Sequence, residues 1–126
     1  MLKDRDSAAI VGTKDLARAR AFYGQTLGLE EAPASGEGVA MFRTGKTVLC
    51  VYPSDFAGTN KANAVVWGVG DEIETIVSDL AGKGVTFEQY DMDGVTFAGG
   101  IHRAGDFRMV WFKDPDGNIL HLNSGD

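Results

Sequence analysis

The chain has 126 residues, of which 44% are apolar and 24% are charged, and its formal net charge is −6. This length and composition predict one soluble globular domain. The negative charge argues against a surface for nucleic acid or anionic membranes and leaves room for a neutral or cationic ligand, although such a charge also simply keeps a protein in solution.

The cysteine content and the apolar segments of the chain indicate a cellular compartment. Cys50 is the only cysteine, so no intrachain disulfide can form and a reducing compartment fits. The first residues, MLKDRDS, contain no apolar signal core, and no apolar run approaches the roughly 20 residues of a membrane span. We therefore expect a cytoplasmic protein that contacts no membrane.

The first half begins with a predicted strand at Ala8–Thr13, which is short and contains β-branched residues. Asp15 can cap a helix through its side-chain oxygen, and Gly28 can end that helix with a positive φ. The helix has one apolar stripe, formed by Leu16, Ala19, Phe22, Tyr23 and Leu27. Further strands are predicted at Leu29–Ala34, Val39–Arg43 and Lys46–Tyr52.

The second half repeats this order without a gap at its start. Four residues of the first half fall on the same residue types in the second: Ala8 on Ala64, Gly12 on Gly68, Asp15 on Asp71, and Gly28 on Gly84. The second half therefore predicts a strand at Ala64–Val69, a helix containing Ile73, Ile76, Val77 and Leu80, and strands at Thr86–Tyr90, Phe107–Lys113 and Asn118–Asn123.

Each half is thus predicted to be a β-α-β-β-β module. The modules span about residues 7–53 and 64–124 of a single domain, 1–126, with a linker at 54–63. The second half carries extra chain, mostly DMDGVTFAGGIHRAGD (residues 91–106). Two interpretations of this segment stay open, a functional lid and an extended hairpin without a role.

The sequence DPDGN before the last strand predicts a tight turn. Pro115 presets φ at the second position of the turn, Asp116 is tolerated at the third, and Gly117 adopts a positive φ. This explanation requires no catalysis.

The two modules, the DL-x(5)-FY helix start from Asp15, the LGL helix end and the late FKDPDGN turn together resemble the vicinal oxygen chelate superfamily. This group includes glyoxalase I, bleomycin- and fosfomycin-resistance proteins and extradiol dioxygenases. The resemblance implies an α+β fold in which two tandem βαβββ modules form a curled mixed sheet around a cavity. It is a poor guide to activity, because one fold hosts many functions.

In metal-using members of the superfamily, as the resemblance implies, a divalent ion is held by His on a module's first strand and Glu on its last. The matching positions here are Ala8, Ala64, His121 and, approximately, Leu49. Methyl and isobutyl groups cannot ligate a metal, and a divalent ion needs about three protein ligands. The sequence therefore predicts no metal ligands and no cofactor, although a divalent metal at a non-standard site stays open.

Three roles for His121 remain open. It is a neutral cavity histidine that hydrogen-bonds a ligand or neighbour, a general base that works without metal, or a metal ligand that recruits His102 or Asp106. Of these three, only the second would make His121 a catalytic residue in its own right.

Alternation along the strands predicts the rest of the ligand site. If Ala8 and Ala64 face the cavity, Ile10 and Val66 do too, and Asn123 shares the face of His121. Trp111 and Met109, or else Val110 and Phe112, supply an apolar wall.

Three further residues could have a functional role or a purely structural one. His102 and Arg103 either clamp an anionic group together or are ordinary loop residues. Cys50 lies between Leu49 and Val51 with no basic neighbour, which predicts an inert buried thiol.

The resulting functional hypothesis is a metal-independent protein, similar to the bleomycin-resistance proteins, that binds or sequesters a small, partly apolar molecule as a homodimer. One alternative is a glyoxalase-type lyase, isomerase or dioxygenase that uses His121 as acid or base or within a non-standard metal site. Another is a scaffold module without a ligand.

Overall fold

The computed structural model describes residues 1–33, 35–36 and 38–125. The chain divides into two compact units. The first contains Met1–Asn60 together with Pro115–Asn118, and the second contains Lys61–Asp114 together with Ile119–Asp126. No helix in the described part of the chain is long and apolar enough to cross a membrane.

The first unit has the predicted β-α-β-β-β order. After a 3-10 turn at Leu2–Asp4, its elements are β1 (Ala9–Thr13), α1 (Leu16–Ala21) continued by a π-helical turn (Phe22–Thr26), β2 (Glu30–Glu31), β3 (Ala40–Thr44) and β4 (Thr47–Pro53). The sheet order is β1-β4-β3-β2, with β1 parallel to β4 and the other pairs antiparallel.

Local signals account for the boundaries of the first helix. The side chain of Asp15 accepts a hydrogen bond from the backbone N–H of Arg18, as a helix cap does, and Gly28 has a φ of 75° just past the helical turns. Both predictions are confirmed. The predicted strand Leu29–Ala34 is shortened to β2, and its last residue, Ala34, lies outside the described residues.

The core of the first unit lies on one face of its sheet. Val11, Leu49 and Val51 alternate with exposed or half-buried neighbours, because successive side chains of a strand point to opposite faces. The buried members of the helical turns, Ala19 and Tyr23, complete this layer, and Tyr23 stacks at a tilt on Phe42 with ring centroids 6.0 Å apart.

The second unit contains β5 (Asn63–Gly68), a 3-10 turn (Gly70–Glu72), α2 (Ile73–Gly82), β6 (Thr96–Ala98), β7 (Ile101–Ala104), β8 (Phe107–Lys113) and β9 (Ile119–Asn123). Its sheet has the order β5-β9-β8-β7-β6, and β5 is parallel to β9. The α+β class is as predicted, and its strands form two mixed sheets, one in each unit.

One prediction for the second unit was wrong, and one of the two open interpretations of the segment 91–106 is contradicted. Thr86–Tyr90 is not a strand, since this segment forms only an isolated bridge from Phe87 to Phe112. The segment 91–106 is not a free lid, because it contains the paired strands β6 and β7. Gly99 and Gly100 have φ values of 62° and 83° and join these strands, since a two-residue hairpin turn of this kind needs positive φ at both positions.

The two faces of the second sheet differ in character. Val110 and Phe112 of β8 pair with Leu122 and Leu120 of β9, and all four are buried. Arg108 shares their face and forms an ion pair with Glu74 of α2, so the helix covers this side. The opposite face, called the aromatic face below, carries Val66, Phe97, His102, Met109, Trp111, His121 and Asn123.

Four of the five residues of the DPDGN turn, Pro115–Asn118, belong to the first unit. Gly117 has the predicted positive φ, 96°. The carboxylate of Asp116 accepts hydrogen bonds from the Thr13 hydroxyl at 2.6 Å, the Lys14 backbone N–H at 2.9 Å and the Arg18 guanidinium at 2.9 Å. Asp116 therefore does more than occupy a turn position, because it joins the turn to the end of β1 and the start of α1.

Candidate functional site

His121 lies in the middle of β9 on the aromatic face and is 9% exposed. Its ring is stacked on Trp111, the residue directly across the strand pair, with centroids 4.6 Å apart and an angle of 22° between the planes. Its Nδ1 lies 3.0 Å from the backbone oxygen of Val110, and its Nε2 lies 3.3 Å from the amide nitrogen of Asn123. The sequence-predicted neighbours Trp111 and Asn123 are thus in contact with His121.

The surroundings of His121 favour a neutral ring. Burial lowers the pKa of His121 below its ordinary value of 6.5, and the hydrogen bond to the Val110 carbonyl partly opposes this shift. At neutral pH the side chain is therefore an uncharged imidazole, which can accept a proton or a hydrogen bond.

The question of which side chains of β8 face the site is settled by burial. Val110 and Phe112 are fully buried on the helix-covered side, whereas Met109 and Trp111 are half-buried on the aromatic face. Val66 of β5 is the partner of His121 on the other side and is 58% exposed. The wall predicted on one side of His121 is therefore formed by Met109 and Trp111.

His102 is a buried strand residue and not a loop residue. It lies on β7 with 0% exposure, where its ring contacts Trp111 edge to face at 5.0 Å and Phe97 at 4.7 Å. Its Nε2 accepts the backbone N–H of Tyr90 at 2.9 Å. Among the residues that the structure describes, its Nδ1 has no hydrogen-bond partner.

The predicted anion clamp of His102 and Arg103 does not form. Neighbouring residues of a strand point to opposite faces, so Arg103 lies on the helix-covered side and its guanidinium contacts Glu74 at 3.0 Å. Asp106 is exposed in the turn after β7. The extended segment that was predicted to be a loop thus contributes one buried imidazole to the aromatic face.

In the first unit, Ile10 lies on the face of β1 opposite the core and is 64% exposed. Its strand partner Cys50 is half-buried, which differs from the predicted buried thiol because Cys50 also points away from the core. Ala8 is exposed and borders an open hollow of about 740 Å³ that Arg43 and Lys46 also line.

The donor set does not fit the metal that the superfamily resemblance implies. Of the four matched positions, Ala8, Ala64 and Leu49 have no lone pair, and His121 has two ring nitrogens that both contact protein groups. Within the described part of the chain, no group of three or more His, Cys, Asp or Glu side chains is placed to hold an ion.

Sequence analysis missed the aromatic cover of His102. Tyr90 contacts both His102 and Trp111, with centroid distances of 6.3 Å and 5.4 Å, although the segment that carries it is irregular. Phe97 belongs to a strand that was not predicted. The dipeptide Gly99-Gly100 between two short apolar runs is the signal that could have identified the hairpin.

The chain was compared with protein-family models, with curated proteins and with solved structures. The model of the Glyoxalase/Bleomycin resistance protein/Dioxygenase superfamily matches residues 7–122. Comparison with curated proteins gave no match.

Solved structures share the fold at low sequence identity. A mutant of the fosfomycin resistance protein FosX from Listeria monocytogenes, solved with Mn(II) and 1S,2S-dihydroxypropylphosphonic acid, has a TM-score of 0.72 and 20% identity over 97% of this chain and 90% of that one. A putative glyoxalase family protein from Bacillus anthracis has a TM-score of 0.69 and 22% identity, covering 97% and 95%. Lactoylglutathione lyase from Agrobacterium tumefaciens has a TM-score of 0.67 and 17% identity, covering 94% and 92%.

Proposed function

Because the chain belongs to the Glyoxalase/Bleomycin resistance protein/Dioxygenase superfamily, we propose that it binds a small, partly apolar molecule on the aromatic face, without a metal ion. The observation that carries this proposal is the neutral, buried His121 stacked on Trp111. One polar group among apolar and aromatic side chains is the usual composition of a small-molecule site.

The donor chemistry supports binding without metal. The FosX structure contains Mn(II), whereas three of the four matched positions here are alanine or leucine. Alanine and leucine side chains cannot coordinate an ion, so the proposed site binds its ligand by hydrogen bonding and stacking.

A direct test is elemental analysis and native mass spectrometry of protein purified without chelator, followed by a small-molecule screen. We expect no stoichiometric divalent metal and at least one ligand whose affinity falls about tenfold in His121→Gln, the loss expected when a polar anchor is removed. The control is Asn63→Gln, an exposed position on β5. One tightly bound metal per chain, or ligands indifferent to His121→Gln, would contradict the proposal.

A second candidate is acid–base catalysis on the same face. It is favoured by the lowered pKa of His121, since a neutral imidazole can accept a proton from a bound substrate. In that case His121→Gln would abolish turnover of a screened substrate while leaving its binding nearly intact.

We also propose a homodimer in a reducing, cytoplasmic compartment. Ile10 of β1 and Val66 of β5 lie on edge strands and are 64% and 58% exposed, and a second copy of the chain could cover these large apolar side chains. Sedimentation equilibrium at micromolar concentration should give twice the mass of one chain, and a monomer mass would reject the dimer.

A further inference from the structure

The strand end after His121 contains a chain of hydrogen bonds. The backbone N–H of Gly125 donates to Oδ1 of Asn123 at 3.0 Å, and Nδ2 of Asn123 lies 3.3 Å from Nε2 of His121. On the other side of the ring, Nδ1 of His121 lies 3.0 Å from the carbonyl oxygen of Val110. A backbone donor and a backbone acceptor thus stand at the two ends.

These two ends determine every proton between them. A carbonyl oxygen can only accept, so Nδ1 of His121 must carry a hydrogen. A backbone N–H can only donate, so the amide oxygen of Asn123 must face Gly125 and its NH₂ must face His121. Nε2 therefore carries no hydrogen and offers its lone pair, because a hydrogen on Nε2 would point at the hydrogens of the Asn123 amide.

The backbone around Gly125 holds the end of this chain in place. The carbonyl of Gly125 accepts the Gly70 N–H at 2.9 Å, and the carbonyl of Asn123 accepts the Val69 N–H at 2.9 Å. A Cβ at position 125 would lie 3.0 Å from Oδ1 of Asn123, closer than side chains normally approach. Glycine at 125 therefore permits the amide of Asn123 to adopt this position.

We infer that Asn123, held by Gly125, is a positioning residue that fixes His121 in its Nδ1–H tautomer and presents Nε2 to the ligand as a hydrogen-bond acceptor. Granted the proposed binding function, the ligand class follows. The site takes a planar molecule with an O–H or N–H donor, such as a phenol, and rejects carboxylates and phosphates.

The contact between Asn123 and His121 leaves room for this ligand bond. At 3.3 Å it is longer than the usual 2.7–3.2 Å of an N–H donor bond, so a ligand donor can replace Asn123 at the single lone pair of Nε2. Among the described residues, by contrast, those of the aromatic face include no Lys or Arg that could pair with an anion. Arg103 and Arg108 lie on the other side of the sheet, where both contact Glu74.

The first test is long-range ¹⁵N–¹H NMR of the His121 ring in the ligand-free protein at neutral pH. We expect a pyridine-type Nε2 and a pyrrole-type Nδ1 in the wild type. In Asn123→Asp, whose carboxylate only accepts, Nε2 should gain a hydrogen while Nδ1 keeps its own, so that both nitrogens show the imidazolium signature. The control Asn63→Asp adds the same charge at an exposed position of β5 and should leave the ring unchanged. A protonated Nε2 or a tautomer mixture in the wild type would overturn the positioning role.

Gly125→Ala is the second variant, and it keeps the test valid if Asn123→Asp folds poorly. The added methyl pushes on the Asn123 amide, so the ring should become a mixture of tautomers while the far-UV spectrum stays unchanged. A ring that keeps the wild-type tautomer in folded Gly125→Ala protein would show that Asn123 needs no support from Gly125.

The second test measures ligand class with phenol and benzoate as matched planar probes. Phenol should shift the Trp111 and His121 resonances and bind at least about tenfold more tightly than benzoate, the ratio that corresponds to one hydrogen bond of ordinary strength. Tighter binding of benzoate would overturn the donor rule while leaving the proposed binding function intact. No shift with either probe would overturn the ligand class and count against the proposed function, whereas the tautomer result would stand by itself.

Discussion

The two units follow the same order at their start, yet they use the end of their first strand differently. In the first unit, Thr13 and the following backbone bind the carboxylate of Asp116, so polar groups hold the fold together. In the second unit, the corresponding stretch at Val69 and Gly70 binds the backbone that follows β9, next to Asn123 and His121. The same position in the two units therefore binds a carboxylate in one and the backbone next to Asn123 and His121 in the other.

The largest test of this comparison is Gly58→Ala in the first unit. A Cβ at Gly58 would lie 1.8 Å from the carbonyl oxygen of Asp116, and its φ is 76°. We expect the free energy of unfolding to fall by at least about 3 kcal/mol, because the clashing atom belongs to the backbone and cannot move aside as the end of a flexible side chain can. Chemical denaturation with urea measures this.

Gly45→Ala is the matched control. Gly45 has a φ of 56° and open space around it, so only the backbone conformation is penalised. The expected loss is about 1 kcal/mol. Equal losses in the two variants would show that the turn at Asp116 is not tightly seated on Gly58.

The second test removes the carboxylate itself. Asp116→Ala leaves the Lys14 N–H and the Arg18 guanidinium without their shared acceptor, and the side chain of Asp116 is only 2% exposed. We expect a loss of about 2–3 kcal/mol in unfolding free energy. The exposed Asp6→Ala serves as control and should change stability little. A loss no greater than that of the control would remove the stabilising role assigned to the first unit.

The third test addresses the second unit. His121→Ala should lower stability by only about 1 kcal/mol, because the ring lies on the aromatic face and not within the helix-covered core. The affinity for a screened ligand should fall by more, about 1–3 kcal/mol. Thermal melts beside binding titrations measure both. A large fall in melting temperature with unchanged affinity would make His121 a structural residue like Asp116.

The smallest expected effect is a change in pH dependence. Because burial lowers the pKa of His121 in the folded state, the unfolded chain binds this proton more readily. The contribution of His121 is therefore complete above its ordinary pKa of 6.5 and is lost as the pH falls towards the lower pKa of the folded protein. His121→Gln should lose less stability than the wild type between neutral and mildly acidic pH. If the melting temperatures of the wild type and His121→Gln fell equally with decreasing pH, this prediction would be contradicted.

The sequence was most informative where the signal is local. Asp15 as a cap, Gly28 and Gly117 with positive φ, and β8 at Phe107–Lys113 all follow from residue types within a few positions of one another. The hairpin of β6 and β7 was only one of two open interpretations, although Gly99-Gly100 signals it, because strands of three and four residues have little periodicity to detect.

The site was predictable in its residue types and less so in its contacts. Strand alternation placed His121, Asn123 and Val66 on one face, but it also required His102 and Arg103 to point apart, and treating them as loop residues concealed this. The contact of Tyr90 with His102 and that of Asp116 with Thr13 join distant parts of the chain, and no local pattern encodes either.

The turn at Pro115–Asn118 also bears on how such a duplicated chain can be divided. Asn118 donates to the Gly12 carbonyl at 2.9 Å, so the first unit is completed by residues that lie more than 50 positions after Asn60. A cut in the linker after Asn60 would leave the first fragment without Asp116 and Asn118. We therefore expect a fragment that ends at Asn60 to be less stable than the same residues within the full chain, because the acceptor for Lys14 and Arg18 and the donor to Gly12 would be missing.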